Sequence, residues 1–520
     1  MKRKSIYPIL VFFAVLLVSL IPYHHLLSRG YSDGDDFKEV YRAIVEDIPK
    51  PSNIFLTPHE GDRYRPVDRM LKALTVFLGS NNPEFFAYRN LLFHSICILF
   101  VYLIIYLFTK NPLISGLGTL LFALSPGNVN GISVEIFTVT FGPSLILFVL
   151  LIILNIELGK ITRRHSLLLS FCLFLLIVTT FSSEMYAWTI PTFLLYIFWK
   201  YFTTEKKREY LFLSLASILG IAFFVIARQI VVTNAALTVI SSSDRYGIQP
   251  ISQIIKNFGM LFIGMGNSVD HIFWINPIHD TIPTNLKEII NTGIWISYLL
   301  SSLAVLATGI GCFASLIKKK RGGGNKAALP LVFLILAGFS VSVVAVGTKA
   351  SETYLYLANA FLGISQALLV YTFIKNYDDK HSIVLKSLVL GAITLVLIAR
   401  WVAVEHRNLL LAEKAARIES MQQELISNTQ DFYGNSIILS RTCPPQPRGF
   451  SIYGADGLDM ITPKEFVTLT LNNFDLQVKT LNNDELINSG LVNTTYQRII
   501  WVDDQGHMAQ QENASKLICH

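Results

Sequence analysis

The chain has 520 residues, of which 52% are hydrophobic and only 15% charged, and its mean hydropathy is +0.48. A soluble domain of this length needs far less apolar surface, so the composition argues against an ordinary globular protein and predicts a polytopic α-helical membrane protein. The formal net charge of +7 does not point to nucleic acid, because the Lys and Arg residues fall largely in short loops between apolar runs, where they have a topological role.

The amino terminus sets Lys2, Arg3 and Lys4 before an apolar run at residues 6–23. By the positive-inside rule this start stays cytoplasmic. No small-x-small cleavage site follows, so the run reads as an uncleaved anchor. The next loop, residues 24–85, then emerges on the far side. It carries SDGDDF from Ser32, with Asp33, Asp35 and Asp36, shows a short helical pattern at 37–45, and continues through YRPVDR at 64–69.

Apolar runs of crossing length follow at 86–108, 112–126, 136–154, 166–181, 186–202 and 210–227. Lys160, Arg163 and Arg164, then Lys206, Lys207 and Arg208, sit where this alternation predicts cytoplasm. A second long outer segment, 228–291, contains a Gly-rich apolar patch at 258–269 that reads as interfacial or re-entrant. Spans resume at 292–317, which ends in the basic run KKKR at 318–321, a cytoplasmic stop signal, and continue at 329–346, 354–374 and 383–402. The expectation is about eleven transmembrane helices. An odd number puts the carboxy terminus outside.

From Val404 the composition changes. Residues 407–426 read as an amphipathic helix, after which β-branched runs such as SIILS at Ser436 and FVTLTL at Phe466 alternate with turn residues. The expectation is a small α+β extracytoplasmic domain over 404–520 behind a membrane domain over 1–403. Cys443 and Cys519 could pair in an oxidising compartment or remain thiols, while Cys97, Cys172 and Cys312 lie in apolar runs as small buried hydrophobes. No C-x-x-C metal spacing occurs, and the sequons at Asn493 and Asn513 are too short a pattern to inform.

The chemistry gathers on the outer side. Arg63, Arg65 and Arg69 share the first outer loop with its carboxylates, so one segment can supply a base and a phosphate-binding surface. On the next helix Asn90 and His94, four residues apart, share a face beside Arg89. Polar groups at membrane depth are costly and usually line a cavity. Glu135 after PGNVN, Glu184 in SSEMY, Lys349 and Glu352 around the turn before YLY, and Tyr354 and Tyr356 recur on the same side. Each alone also reads as a helix-end residue or an interfacial anchor.

The ordered segments DGDDF, YRPVDR, YRNLLFH, LLFALSPGNVNGISVE, SSEMYAWTIP and SETYLYLANAF resemble the membrane domain of GT-C glycosyltransferases. The likeness is to the branch of the transmembrane-and-TPR O-mannosyltransferases and their bacterial relatives, over most of residues 1–402. It implies an inverting transferase that takes a sugar from a polyprenyl-phosphate donor on the non-cytoplasmic face. Asp35 or Asp36 would be the general base, ahead of Asp33. Arg63, Arg65, Arg89 and Lys349 would bind the donor phosphate, and Asn90, His94, Glu135, Glu184, Glu352, Tyr354 and Tyr356 would bind or support sugar and acceptor. No cofactor is required on this reading, a divalent cation stays open, and no residue is assigned as a metal ligand. The implied partners are the lipid-linked donor, the bilayer and a protein, lipid or glycan acceptor.

The sequence also departs from that pattern. Thr353 stands where the family commonly has arginine, and Ala358 and Asn359 stand where proline and serine often follow. No TPR array follows the last span, which favours a bacterial inner membrane with a periplasmic active face, although an endoplasmic-reticulum membrane fits the same topology. A flippase or transporter of lipid-linked glycans, an O-antigen polymerase or ligase, and a scaffold with a degenerate site are the alternatives.

Overall fold

The computed structural model describes residues 6–28, 30–32, 34–58, 64–80, 82–133, 138–160, 165–203, 207–232, 250–266, 296, 299–314, 328–346, 355–376, 382–442, 458, 461–482, 485–486, 497–503 and 506–510. Helix α1 (Ile6–Leu20) tightens into a 3-10 segment at Ile21–Ser28, where Pro22 has no N–H to continue the α-helical ladder. The loop beyond it is itself largely helical: α2 (Gly34–Arg42) runs into a π turn at Ala43–Asp47, and α3 (Pro66–Gly79) leads to α4 (Pro83–Thr109). Proline opens both α3 and α4, in the first turn where its missing N–H would have no helical partner. Asn82 caps α4 by accepting from the Glu84 N–H at 3.0 Å. The turn between the two helices is tight, since a Cβ on Gly79 would meet the Phe85 ring at 2.3 Å.

The bundle continues with α5 (Pro112–Ala123), α6 (Val129–Ser133), α7 (Phe141–Glu157), α8 (His165–Ser182), α9 (Thr189–Thr203) and α10 (Lys207–Val231). Then come α11 (Ile251–Ile263), α12 (Leu299–Ala314), α13 (Leu329–Val346), α14 (Tyr356–Asn376) and α15 (Ser382–Thr429). Among the described residues seven helices are long and apolar enough to cross a bilayer, with an eighth if α5 and the segment Pro126–Ser133, bent by 57°, form one broken span. Three more apolar helices, α7, α11 and α12, are shorter. By length and composition the described residues therefore do not reach the expected count of about eleven. The patch expected to be interfacial or re-entrant begins earlier, as α11, which packs into the bundle with Leu261 buried and Asn257 donating to the Ala345 carbonyl at 3.3 Å.

The bent pair α5–α6 interrupts the backbone ladder inside the bundle. Its carbonyls are satisfied from other elements, as buried backbone in a membrane protein must be. Arg400 donates to the Leu121 carbonyl, Asn128 to Phe122 at 2.9 Å and Arg407 to Pro126 at 2.7 Å. Asn359 donates to the Asn128 side chain at 2.8 Å and accepts from the Gly266 N–H at 2.8 Å. Gly266 has φ +75° and lies so close to Arg400 that a Cβ there would sit 2.2 Å from Nη2.

Two sequence expectations for the carboxy-terminal part are corrected. Residues 407–426 are not a separate helix but the second half of α15, a single element of 48 residues. No Gly or Pro occurs from 392 to 429, and the helix also runs through Gly391, giving a rod of about 72 Å, far longer than the ~30 Å hydrocarbon core. FVTLTL is not a strand but most of α16 (Pro463–Thr470) and its end. Pro463 starts the helix, and burial of Phe466 and Val467 on one side outweighs their preference for extended backbone. SIILS does form β1 (Ser436–Arg441). It lies parallel between β2 (Gln477–Asn482) and β3 (Gln497–Val502), and the short β4 (Met508–Ala509) pairs antiparallel with β3 to complete a four-stranded sheet. As a central parallel strand, β1 is buried on both faces.

The sheet does not stand apart. Ile437, Leu439 and Ile500 share one apolar cluster with Phe466, with Ile418, Met421 and Leu425 of α15, and with Phe37 and Val40 of α2. Phe37 meets Phe466 edge-on at 5.2 Å between ring centroids. The carboxy-terminal unit thus covers the apolar side of the helix that carries the acidic motif.

Candidate active site

Asp35 and Asp36 occupy the first turn of α2, where the partial positive charge of a helix start favours carboxylates. The neighbours differ sharply in environment. Asp36 is fully buried and accepts from the Ser32 N–H at 3.2 Å, whereas Asp35 is exposed. The apolar residues Phe37 and Val40, both fully buried, anchor the helix. That anchoring fixes which carboxylate faces outward.

Helix α3 is amphipathic in an inverted sense. Asp68, Arg69, Lys72 and Thr75 are buried, while Met70, Leu74, Phe77 and Leu78 are 44–69% exposed. This suits a helix lying along a membrane surface, with its apolar side toward lipid and its charges toward the protein. Lys72 sits between two carboxylates, at 2.9 Å from Asp68 Oδ2 and 3.4 Å from Glu39 Oε2 of α2. The Thr138 hydroxyl donates to Asp68 Oδ1. Burial alone would raise the Asp68 pKa, yet Lys72, the Thr138 hydrogen bond and Arg65 hold it below its ordinary value. Burial likewise works against charged Lys72, but Asp68 and Glu39 carry its pKa above 10.5.

The charge line extends to α4 and to the turn after α8. Arg89 donates to the Asn90 side chain at 3.0 and 3.2 Å and to the Thr75 hydroxyl at 3.2 Å, and stacks over the Phe86 ring at 5.0 Å. The carboxylates acting on its charge are Asp68 and Asp36. Arg65 donates through Nε to Glu184 Oε2 at 2.6 Å, and the Tyr64 N–H donates to Oε1 at 2.8 Å. Burial would raise the Glu184 pKa, but Arg65 and this backbone donor hold it below 4.5. The fold therefore brings together Asp36, Arg65, Arg89, Asn90 and Glu184.

Other expected residues are placed differently. His94 lies one turn further along α4, fully buried, with Nδ1 2.5 Å from the Tyr356 hydroxyl and ringed by Tyr23, Phe122 and Tyr356. It is packed in an aromatic box rather than joined to the charge line. Arg69 is also withdrawn from any phosphate surface: it pairs with buried Asp47 and donates to the Thr57 carbonyl at 2.8 Å, bracing the loop internally. Asp33, Arg63, Glu135, Lys349, Glu352, Thr353, Tyr354, Cys443, Cys519, Asn493 and Asn513 lie outside the described residues. Sequence reasoning missed Glu39, Asp68 and Lys72. The i, i+4 spacing of Asp68 and Lys72 signals an ion pair, but nothing local signals that the pair faces inward.

The described residues thus form a bundle of apolar helices with an acidic helix between the first two spans, packed against a mixed four-stranded sheet. No protein-family model matches the sequence, and no curated protein matches it. Among solved structures, ArnT from Cupriavidus metallidurans bound to undecaprenyl phosphate is similar with a TM-score of 0.52 and 11% identity, over 96% of this chain and 93% of that one. ArnT in the apo state gives 0.48 and 11%, over 94% and 88%. The oligosaccharyltransferase of Archaeoglobus fulgidus, complexed with Zn and sulfate, gives 0.41 and 10%, over 91% and 62%. This chain is a multi-pass membrane protein with the GT-C fold.

Proposed function

We propose that this protein is a glycosyltransferase that moves a sugar from a polyprenyl-phosphate donor to an acceptor hydroxyl or amine on the non-cytoplasmic face, with inversion at the anomeric carbon. The observation that carries the reading is the split pair on α2. Asp35 is exposed and able to meet an acceptor, while Asp36 is buried in the field of Arg89. Asp35 acts as general base, and Asp36 as a positioning residue that holds the helix start against α4. The undecaprenyl phosphate of the ArnT structure supports a lipid phosphate as the donor group.

The chemistry is consistent with one base. Transfer expels a phosphate monoester, a stable anion at neutral pH, so the leaving oxygen needs no proton from a second carboxylic acid. Glycoside hydrolysis differs, since its poorer leaving group requires two flanking carboxyls. Here the attacking oxygen or nitrogen gives its proton to Asp35 as the new glycosidic bond forms and the old C–O bond to phosphate breaks. Arg89 meets the released phosphate, helped by Arg63 and Lys349, roles that rest on the resemblance. Arg65 is oriented by Glu184 toward the same region. The apolar outer side of α3 gives the polyprenyl tail a surface to lie against. Membrane residues 1–403 carry the reaction, with catalytic loop 24–85 and outer segment 228–291; residues 404–520 cover α2. A bacterial inner membrane with a periplasmic site fits this division.

Transfer in proteoliposomes from a panel of labelled polyprenyl-phosphate sugars tests the proposal. One donor should yield a product of inverted anomeric configuration. Retention, or a folded protein inert to every donor and acceptor class, overturns it.

A further inference from the structure

A second group of polar side chains lies away from the charge line, where the first membrane helix ends. His24 and His25 of the 3-10 segment meet Glu405 of α15, with His25 Nε2 at 3.4 Å from Glu405 Oε1. The two imidazole rings lie 3.7 Å apart between centroids, tilted by 41°. One ligand atom from each of the three residues falls within 4.8 Å of the others.

Two observations point to a bound cation. His24 Nδ1 lies 2.9 Å from the Ile21 carbonyl. That oxygen can only accept, so Nδ1 carries the proton and Nε2 keeps its lone pair. A backbone carbonyl on the far nitrogen is the usual way a metal-binding histidine is oriented. Glu405 Oε2 is buried and has no hydrogen-bond partner among the described residues, a costly state for a carboxylate oxygen.

We propose that His24, His25 and Glu405 bind a divalent transition cation of the zinc type, with water completing the coordination. Two imidazoles and a carboxylate suit zinc, whereas magnesium and calcium prefer oxygen ligands alone. Tetrahedral bonds of about 2.0–2.2 Å put ligand atoms roughly 3.3–3.6 Å apart. His25 and Glu405 already stand at that separation, and the His24 ligand atom lies within 4.8 Å of both. The ion would tie the end of α1 to α15, just ahead of the loop that carries Asp35.

The test uses the full-length protein in detergent, stripped with chelator and titrated with zinc chloride by calorimetry. One zinc per chain should bind, the unfolding midpoint should rise on binding, and X-ray absorption should show two imidazole nitrogens in the shell. Glu405→Gln and the double variant His24→Ala/His25→Ala should each weaken binding at least about tenfold. Unchanged affinity in both, no saturable binding to the native chain, or a zinc spectrum without imidazole scattering overturns the site. The native-chain spectrum decides even where a variant fails to fold, and none of these outcomes bears on sugar transfer.

Discussion

Two groups of buried cations among the described residues are satisfied in two different ways. On the outer loop Lys72 and Arg69 are matched to carboxylates, Asp68, Glu39 and Asp47. Within the bundle Arg400 and Arg407 reach backbone carbonyls of the broken α5–α6 pair, and Arg400 also donates to the Ser301 hydroxyl at 3.2 Å. A carboxylate–cation pair fixes side chains relative to one another and keeps charge at the site. A guanidinium on carbonyls satisfies backbone groups that the break between two helices leaves open. The first arrangement braces the loop that carries the proposed base, the second serves the backbone, and substitutions should separate them.

The largest effect is expected at the reacting carboxylate. Asp35→Asn should lower turnover by about 100- to 10,000-fold with the unfolding midpoint unchanged; near-native transfer would remove Asp35 as base. Next is Arg69→Met, which strands the buried Asp47 carboxylate and should cost about 3–5 kcal/mol. Chemical unfolding of the detergent-solubilised protein measures it, and the paired change Asp47→Leu should recover part of the loss. Arg400→Met should cost less, about 1–3 kcal/mol for the carbonyl and hydroxyl left without a donor. Turnover per folded molecule should stay close to native, and a large loss there would erase the distinction between the two regions. The smallest effect concerns pH. The Glu184 pKa is held below 4.5 in the fold, so its contribution is present above about pH 4.5 and is lost as pH falls through the lowered folded value. Glu184→Gln should flatten the acid limb of the stability profile, and an unaltered limb would argue that the Arg65 pair has no such role.

Seven of the apolar runs were legible as helices of crossing length because lipid demands long apolar stretches, and a short helix was legible at 37–45, although α2 starts earlier, at Gly34. Pairings across the bundle were not. Arg65 and Glu184 are 119 residues apart, and no local pattern states which helices become neighbours. The inward side of α3 was half legible: the spacing of Met70, Leu74 and Phe77 marks an amphipathic helix, but only packing shows that its charged side is buried and its apolar side exposed. FVTLTL misled because its β-branched residues were weighed without Pro463 ahead of them. The unbroken run of α15 beyond Gly391 could have been read from the absence of Gly and Pro over 392–429. His94 had every local mark of a site residue, and the three rings around it come from α14, α5 and the 3-10 segment.

The cluster joining Phe37 and Val40 to Phe466 and Leu439 makes the carboxy-terminal part of the chain more than an appendage. A truncated polypeptide ending after Thr429 would retain all its lipid-embedded segments, yet the greasy underside of α2 would be stripped bare. Inactivity in such a shortened version would then reflect a collapsed platform under Asp35, not the loss of an acceptor-docking module.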